Sequence, residues 1–455
     1  MTALEALQAA LGGERAWLVG GAVRDRLLGR VTDDLDIALD GDPERAAQAL
    51  RRTVRGAAFG LSDTFGGWRV VAPEGAWHVD ILPLTGGTLD ADLAARDFTV
   101  NAMAEPLDGG SVVDPFGGAA DLEARRLRQV GPAAFASDPL RVLRAVRLAA
   151  ELGFTVEAAT LAAARENAPG LQGVAAERVW AEFKRIVGAE DPAAALRLME
   201  TAGAAAAVLP ELVTLRGVEQ SVYHAADVHD HTLDVLTEVA GFADPAVFGA
   251  AVHAHLAAPL AEDLSRLGAM RFAALLHDIA KPQTAAPRPD GRGASFVGHD
   301  SAGADLARGI LRRLRAAERV VDYVAALTRH HLRLGFLVHR QPLDRRDIHR
   351  YLKATAPNTV DVTVFTCADR LATRGRNAET ATAAHLELAR TMLAYALEPV
   401  PAPLVRGDEL AAALGIPPGP RIGELLARLE EDRFAGEIGT RAEALARARS
   451  YAEPG

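Results

Sequence analysis

The sequence predicts an α+β head (a mixed sheet with flanking helices), then an all-α neck and body, an all-α domain rich in histidine and aspartate, and a helical C-terminal segment. Three observations carry that expectation. Strand-like apolar runs alternate with glycine-rich turns through residues 1–135. From about residue 137 the apolar positions take helical spacing, and Ala, Leu, Arg and Glu dominate. A proline-rich break, VPAPL at 400–404, sets off the last segment.

The elements follow in order. In 1–135 the strand candidates are WLVG, LDIAL, WRVVA and WHVDILPL. Residues 136–225 read as a helical neck and body, and 226–399 as a second helical domain. In 400–455, LGIPPGP (414–420) is a turn and RIGELLARLEEDRF an amphipathic helix.

Composition narrows the function classes. At 455 residues and 49% hydrophobic content, the chain can bury several cores. The single cysteine, Cys367, excludes an internal disulfide framework and fits a reducing compartment. No apolar run approaches the length of a membrane span, and the acidic N-terminal stretch is no signal peptide, so a cytoplasmic enzyme without a membrane partner is expected. A net charge of −10 argues against a protein that coats nucleic acid indiscriminately. It leaves room for local patches such as Arg51, Arg52 and Arg55, or Arg312, Arg313 and Arg315, although each alone reads best as a solvated helix face.

The chemistry concentrates at residues 18–36, LVGGAVRDRLLGRVTDDLD. An apolar run ends in Gly20-Gly21, a turn that lets a phosphate approach backbone N–H groups. Asp34 and Asp36 follow inside a second apolar run, and residues i and i+2 of a strand share a face. Two carboxylates on one face hold divalent ions such as Mg²⁺, as nucleotidyl transfer requires. Either feature alone reads better as a glycine turn or a solvated acidic loop; together, within seventeen residues, they favour chemistry. No GxxxxGK[ST] loop is present.

This stretch resembles the head of class II tRNA nucleotidyltransferases and bacterial poly(A) polymerases, through Leu18, Gly20, Gly21, Val23, Arg24, Asp25, Asp34 and Asp36. Four more blocks match in family order: ARDFTVNAMA (95–104), DPFGGAADLEARRLR (114–128), SDPLRVLRAVRLAAELGF (137–154) and ERVWAEFKRI (177–186). The resemblance implies addition of nucleotides to a tRNA 3′ hydroxyl from CTP and ATP, with release of pyrophosphate. Asp34 and Asp36 would hold Mg²⁺, with Asp80 as a candidate third carboxylate; an ordinary strand-edge aspartate is an equal reading. Gly20, Gly21, Arg24 and Arg96 would meet the triphosphate or ribose, with Arg144 and Arg147 further along the nucleotide-binding helix.

Base choice has a hydrogen-bonding rationale. Asp138, Arg141 and Arg144 are spaced three apart, fanning over about a third of a helix surface. A carboxylate only accepts and a guanidinium only donates. Asp138 can take the exocyclic amine of cytosine or adenine, and Arg141 the ring nitrogen, whereas uracil and guanine mismatch both. Spacing alone favours an intrahelical salt bridge; the resemblance reverses that preference.

There are departures. Ala95 stands where the family usually has arginine, and Ser137 where it has glutamate. Only 15 residues separate Asp80 from Arg96. In the family a short loop here accompanies addition of CC without the final A, so CC addition is expected, with full CCA addition and poly(A) synthesis as alternatives.

In the second helical domain, LLHDIAKP carries His277-Asp278 among apolar residues, with His231, His299, His330-His331 and Asp369 around it in sequence. The set resembles an HD-superfamily phosphohydrolase. That implies His231, His277, Asp278 and Asp369 on one metal and His299 and His331 on a possible second, with phosphatase or 2′,3′-cyclic phosphodiesterase activity. His229 for His231 and His330 for His331 stay open. Imidazole and carboxylate ligands suit Mn²⁺, Co²⁺ or Ni²⁺ better than Ca²⁺. A rival of another class is an HD phosphohydrolase whose head only docks RNA.

Overall fold

A computed structural model describes residues 2–62, 66–220, 226–261, 263–288, 294–340, 342–374, 378–399 and 401–452. The chain divides into two compact units, Met1–Val208 and Leu209–Gly455.

In the first unit, six strands form one sheet: β1 (Ala16–Val19), β2 (Asp34–Leu39), β3 (Ala57–Ser62), β4 (Gly67–Val71), β5 (His78–Pro83) and β6 (Ala104–Pro106). Their order is β3-β4-β5-β2-β1-β6. Only β2 and β5 run parallel; the other neighbours are antiparallel. Period-2 alternation gives the sheet two unlike faces. Leu35, Ile37, Leu39, Val70, Val79 and Ile81 are buried on one face. Helix α1 (Ala3–Leu11) packs on the helix after β2, and that helix packs on β3, β4 and β5. The other face carries Asp34, Asp36 and Asp80. Helix α2 (Gly21–Leu27) follows β1, α3 (Pro43–Val54) follows β2, and α4 (Leu89–Ala94) packs Leu93 against Val19, Ala38 and Ala104.

Past the sheet the unit is helical. Helix Arg141–Leu152 buries Val142, Leu143, Val146 and Leu148, and packs on Ala176–Val187 and Pro192–Thr201. Asp138 does not lie on this helix, contrary to the fan expected from its spacing. Its backbone is extended (φ −151°, ψ 100°), because the following Pro139 disfavours helical geometry at that position.

The second unit is almost wholly helical. Val228–Gly241, Arg266–Leu276, His299–Arg313, Glu318–His330 and Thr359–Ala372 enclose a core that includes Leu236, Phe272, Val324 and Phe365. Three terminal helices, Gly407–Leu414, Pro420–Ala435 and Arg441–Ala452, bury Leu410, Ile422, Leu425 and Leu429 in a core of their own. Arg346, Arg350 and Lys353 of helix Arg345–Thr355 pair with Asp432, Glu431 and Glu430 on that module. Among the described residues no helix is long and apolar enough to cross a membrane.

Candidate functional site

Strand β1 ends at Gly20, whose φ of 72° few other residues adopt. A Cβ there would lie 2.8 Å from Arg96 Nη1 and 3.4 Å from Asp36 Oδ2, so glycine is what lets these groups converge. Parallel pairing sets Asp36 opposite Asp80 and Asp34 opposite His78. His78 Nε2 is 2.9 Å from Asp34 Oδ1. Burial and the neighbouring Asp34 and Asp80 carboxylates push Asp36 up to about 6, against the pull of Arg96 and Arg144. The centre is short of positive charge, and its oxygen donors fit a divalent ion.

Asp80 is differently placed from its two companions. Both of its oxygens are held by Arg69, at 2.6 and 2.7 Å, so its charge is already neutralised. Arg24 lies near Gly21 but is fixed by Asp25 (2.8 and 2.9 Å) and by Asn101 (2.7 Å). Arg96 is oriented by the buried Asp92, which also accepts from the Thr85 backbone N–H.

A cavity of about 640 Å³ opens beside these groups, lined by Gly20, Gly21, Asp36, Arg96, Asp138 and Arg144, among others. Arg144 is anchored by the buried Asp97, with contacts of 2.6 and 2.8 Å. Burial opposes that charge, but Arg144 and Asn101 keep the Asp97 carboxyl low. Arg141 also lines the cavity, donating to the carbonyls of Ala95 (2.6 Å), Arg96 (3.1 Å) and Ala134 (3.2 Å). Arg147 is not brought there, which corrects the expectation of a nucleotide contact. It is buried, paired with Glu182 at 2.6 Å and Glu151 at 2.8 Å, and ties two helices together.

Arg178 was not anticipated. It lines the cavity and holds Asp138 Oδ2 at 2.8 Å. Its only sequence signal was its place in the ERVWAEFKRI block.

In the second unit, His277 and Asp278 close the Arg266–Leu276 helix, where apolar neighbours bury both. His231 Nε2 is 3.0 Å from Asp369 Oδ1 and 3.8 Å from Asp278 Oδ2. His277 Nε2 is 3.1 Å from Asp278 Oδ2. On the other oxygen of Asp278, His299 Nε2 lies at 3.3 Å and His331 Nε2 at 3.9 Å. His231, His277 and Asp278 form one possible metal set, and Asp278, His299 and His331 another. Asp278 is common to both.

The tautomers agree with metal binding. His277, His299 and His331 each set Nδ1 against a carbonyl three residues back, at 2.8, 2.6 and 2.6 Å. A carbonyl only accepts, so Nδ1 carries a hydrogen and each ring, when neutral, presents its Nε2 lone pair to the centre; against the effect of burial, the adjacent Asp278 carboxylate pulls His277 up, towards its protonated form. His277 Nε2 and both Asp278 oxygens are buried at the centre of the cluster, where Asp278 faces His277, His299 and the Lys281 ammonium. Burial and the adjacent His277 push His331 down to about 4, keeping it neutral and able to ligate.

The geometry separates the open alternatives. His231 reaches Asp369, whereas His229 Nδ1 sits 3.2 Å from Asp230. His331 enters the cluster, whereas His330 Nδ1 accepts from Arg333. Lys281 was missed, although it is three residues from Asp278 in the quoted motif. Its Nζ lies 2.6 Å from Asp278 Oδ2 and 2.5 Å from Gln220 Oε1.

Family models match segments of both units. The family model described as the poly A polymerase head domain matches residues 16–80 and 74–128. The probable RNA and SrmB-binding site of polymerase A matches 153–215, and the HD domain matches 253–374. An A-adding tRNA nucleotidyltransferase of Deinococcus radiodurans is 38% identical over 446 residues, covering 96% of each chain. A CC-adding tRNA nucleotidyltransferase of Thermus thermophilus is 36% identical over 95% of this chain and 92% of its own. The crystal structure of a Bacillus stearothermophilus CCA-adding enzyme in complex with CTP superposes with a TM-score of 0.66 at 25% identity, over 99% of this chain and 98% of that one. The chain belongs to the class II tRNA nucleotidyltransferase and poly(A) polymerase head family, with a C-terminal HD domain. Within that family it is a tRNA 3′-end nucleotidyltransferase.

Proposed function

We propose that this enzyme adds two cytidylates from CTP to tRNA lacking its 3′ CCA and stops there. The observation that carries this reading is the folded state of the Asp80–Arg96 connection. It is filled by a turn at Thr85–Gly87 and by α4, with Asp92 bridging Thr85 to Arg96. A connection pinned at both ends has little freedom to remodel the pocket for a longer primer and a purine. Adenine addition alone is the second reading, favoured by the likeness to the A-adding Deinococcus enzyme.

In this reading Asp34 and Asp36 hold Mg²⁺, which activates the 3′ hydroxyl and steadies the triphosphate. Gly20, Gly21, Arg24, Arg96 and Arg144 line the triphosphate and ribose path. Asp138, aimed by Arg178, accepts the cytosine amine. Arg141 serves the ring nitrogen by exchanging one of its carbonyl partners.

The test is end-labelled tRNA truncated at the discriminator base, incubated with Mg²⁺ and CTP, ATP or both, beside tRNA already ending in CC. The expected product is two residues longer with CTP and no longer when ATP is added. A third residue under both nucleotides makes the enzyme CCA-adding; extension only of the CC-ended tRNA makes it A-adding.

The HD domain is proposed as a metal phosphohydrolase. His231, His277, Asp278 and Asp369 would hold one ion and Asp278, His299 and His331 a second, from Mn²⁺, Co²⁺ or Ni²⁺. Hydrolysis of a 2′,3′-cyclic nucleotide with each metal in turn tests this; no hydrolysis with any of them ends the reading.

A further inference from the structure

Helix α4 brings a carboxylate, Asp92, to the wall of the cavity that Asp36 also lines. Asp92 is 6% exposed, and burying a carboxylate is costly unless its oxygens are engaged. Both are. Oδ1 accepts from the Thr85 backbone N–H at 3.1 Å, and Oδ2 accepts from Arg96 Nε at 3.1 Å and Nη2 at 2.9 Å. One edge of the guanidinium is thereby fixed. The third nitrogen, Nη1, is left for the end of β1. It lies 2.8 Å from where a Cβ on Gly20 would stand, and Asp36 Oδ2 lies 3.4 Å from the same point. The backbone of Arg96 is held as well, its carbonyl accepting from Arg141 at 3.1 Å.

An ion pair four residues apart on an open helix surface contributes little. The setting of this pair is different. Asp92, Arg96, Thr85, Gly20 and Asp36 all line one cavity. Thr85 holds the carboxylate in one orientation, so the planar fork of Arg96 takes one orientation too. Beside its outward nitrogen stand a glycine turn that admits a phosphate to backbone N–H groups and a carboxylate that fits a divalent ion. Those are the surroundings of a phosphate chain. A ribose hydroxyl there would need a hydrogen bond but no cation.

We propose that Asp92 is a positioning residue for the incoming nucleotide: it aims Arg96 Nη1 at the phosphates that leave as pyrophosphate, and itself touches neither nucleotide nor RNA. The inference rests on the reading of Arg96 as a triphosphate ligand. Aim and charge predict opposite signs. Removing a negative charge from the wall of an anion site strengthens phosphate binding if charge is all that Asp92 supplies. It weakens binding if Asp92 supplies the aim. Asparagine separates the two, because it keeps the shape but has one acceptor oxygen, enough for Thr85 or for Arg96 and not for both.

The experiment uses the full chain with Asp92→Asn, Arg96→Ala, the double variant and Arg96→Lys. The nucleotide is CTP with truncated tRNA, or ATP with CC-ended tRNA if that is what the enzyme adds. Nucleotide addition is inhibited with pyrophosphate and, separately, with the nucleoside monophosphate, and KM is measured for nucleotide and for tRNA. Asp92→Asn should raise the pyrophosphate inhibition constant and the nucleotide KM together, on the order of 10- to 100-fold, while the monophosphate constant and KM for tRNA stay within about twofold. Added to Arg96→Ala, it should change either value by less than about twofold, because it acts through that arginine. Arg96→Lys keeps the charge and the buried carboxylate but has no planar fork, so it should lose as much as Asp92→Asn, and it carries the test if Asp92→Asn does not fold. Tighter or unchanged pyrophosphate inhibition in Asp92→Asn overturns the proposal. So does a loss that multiplies that of Arg96→Ala, or wild-type pyrophosphate inhibition in Arg96→Lys. A weaker preference for ribonucleotide over deoxyribonucleotide, with the pyrophosphate constant unmoved, puts Arg96 on the ribose and overturns it too. If Arg96→Ala itself leaves pyrophosphate inhibition unchanged, the triphosphate reading of Arg96 fails and the proposal with it. An effect of Arg96→Ala without one of Asp92→Asn leaves that reading standing and removes the proposal alone.

Discussion

Asp36 works against its own surroundings. Burial and two neighbouring carboxylates resist its ionisation, so it titrates near 6 in the folded protein and near its ordinary value of 3.8 when unfolded. Below the unfolded value both states are protonated and the group is neutral in its effect. As pH rises through 4 to 6 the unfolded state ionises first, and above 6 the folded state carries a penalty of about 3 kcal/mol. With divalent ions chelated, Asp36→Asn should therefore be more stable than the wild type at pH 7.5 and no more stable at pH 4, measured by urea unfolding. The same variant should lose nucleotide addition by on the order of 10²–10⁴, because one carboxylate cannot position the ions. Equal stability at both pH values would show that the crowding at Asp36 is relieved without a cation.

At the scale of elements, side chains of the neck helix divide by what they touch. Arg144 reaches from helix Arg141–Leu152 to Asp97, whereas Arg147, one turn on, turns inward to Glu182 on helix Ala176–Val187. Periodicity marked both as arginines on one helix; it could not show a partner 35 residues away. The Asp138–Arg178 pair, spanning 40 residues, was hidden for the same reason. What could be read from sequence was local: the Gly20 turn, the Asp34/Asp36 alternation and the His277-Asp278 pair each lie within a few residues. Strand β3, AAFGLS, escaped notice because glycine and exposed apolar residues blur its alternation. Arg147→Ala should leave the buried Glu182 with only the longer, 3.7 Å contact to Arg144, costing at most about 3–5 kcal/mol of stability by thermal or urea unfolding. KM for CTP should remain within about twofold where the variant is folded. A large rise in that KM at unchanged stability would return Arg147 to the nucleotide.

For the whole molecule, the head carboxylates Asp34 and Asp36 lie in one compact unit and the buried His/Asp clusters that could hold a metal lie in the other. The donors also differ in kind. The head offers carboxylate oxygens, which suit Mg²⁺, while the second unit adds imidazole Nε2 atoms already fixed in the ligating tautomer, which suit softer transition ions. Separate ligands of unlike softness should make nucleotide addition independent of the phosphohydrolase activity proposed for the HD domain. His277→Ala should abolish transition-metal-dependent hydrolysis of a 2′,3′-cyclic nucleotide and leave Mg²⁺-dependent CTP addition within about twofold. Asp36→Asn should do the reverse. Asp278→Asn is the more searching variant, because Asp278 faces both metal sets through different oxygens. It should reduce bound transition metal, counted by mass spectrometry of the native protein, by more than His331→Ala, which touches only one set. Equal metal loss in the two variants would mean that a single ion occupies the cluster. Loss of CTP addition in a folded His277→Ala protein would show that the two activities are coupled.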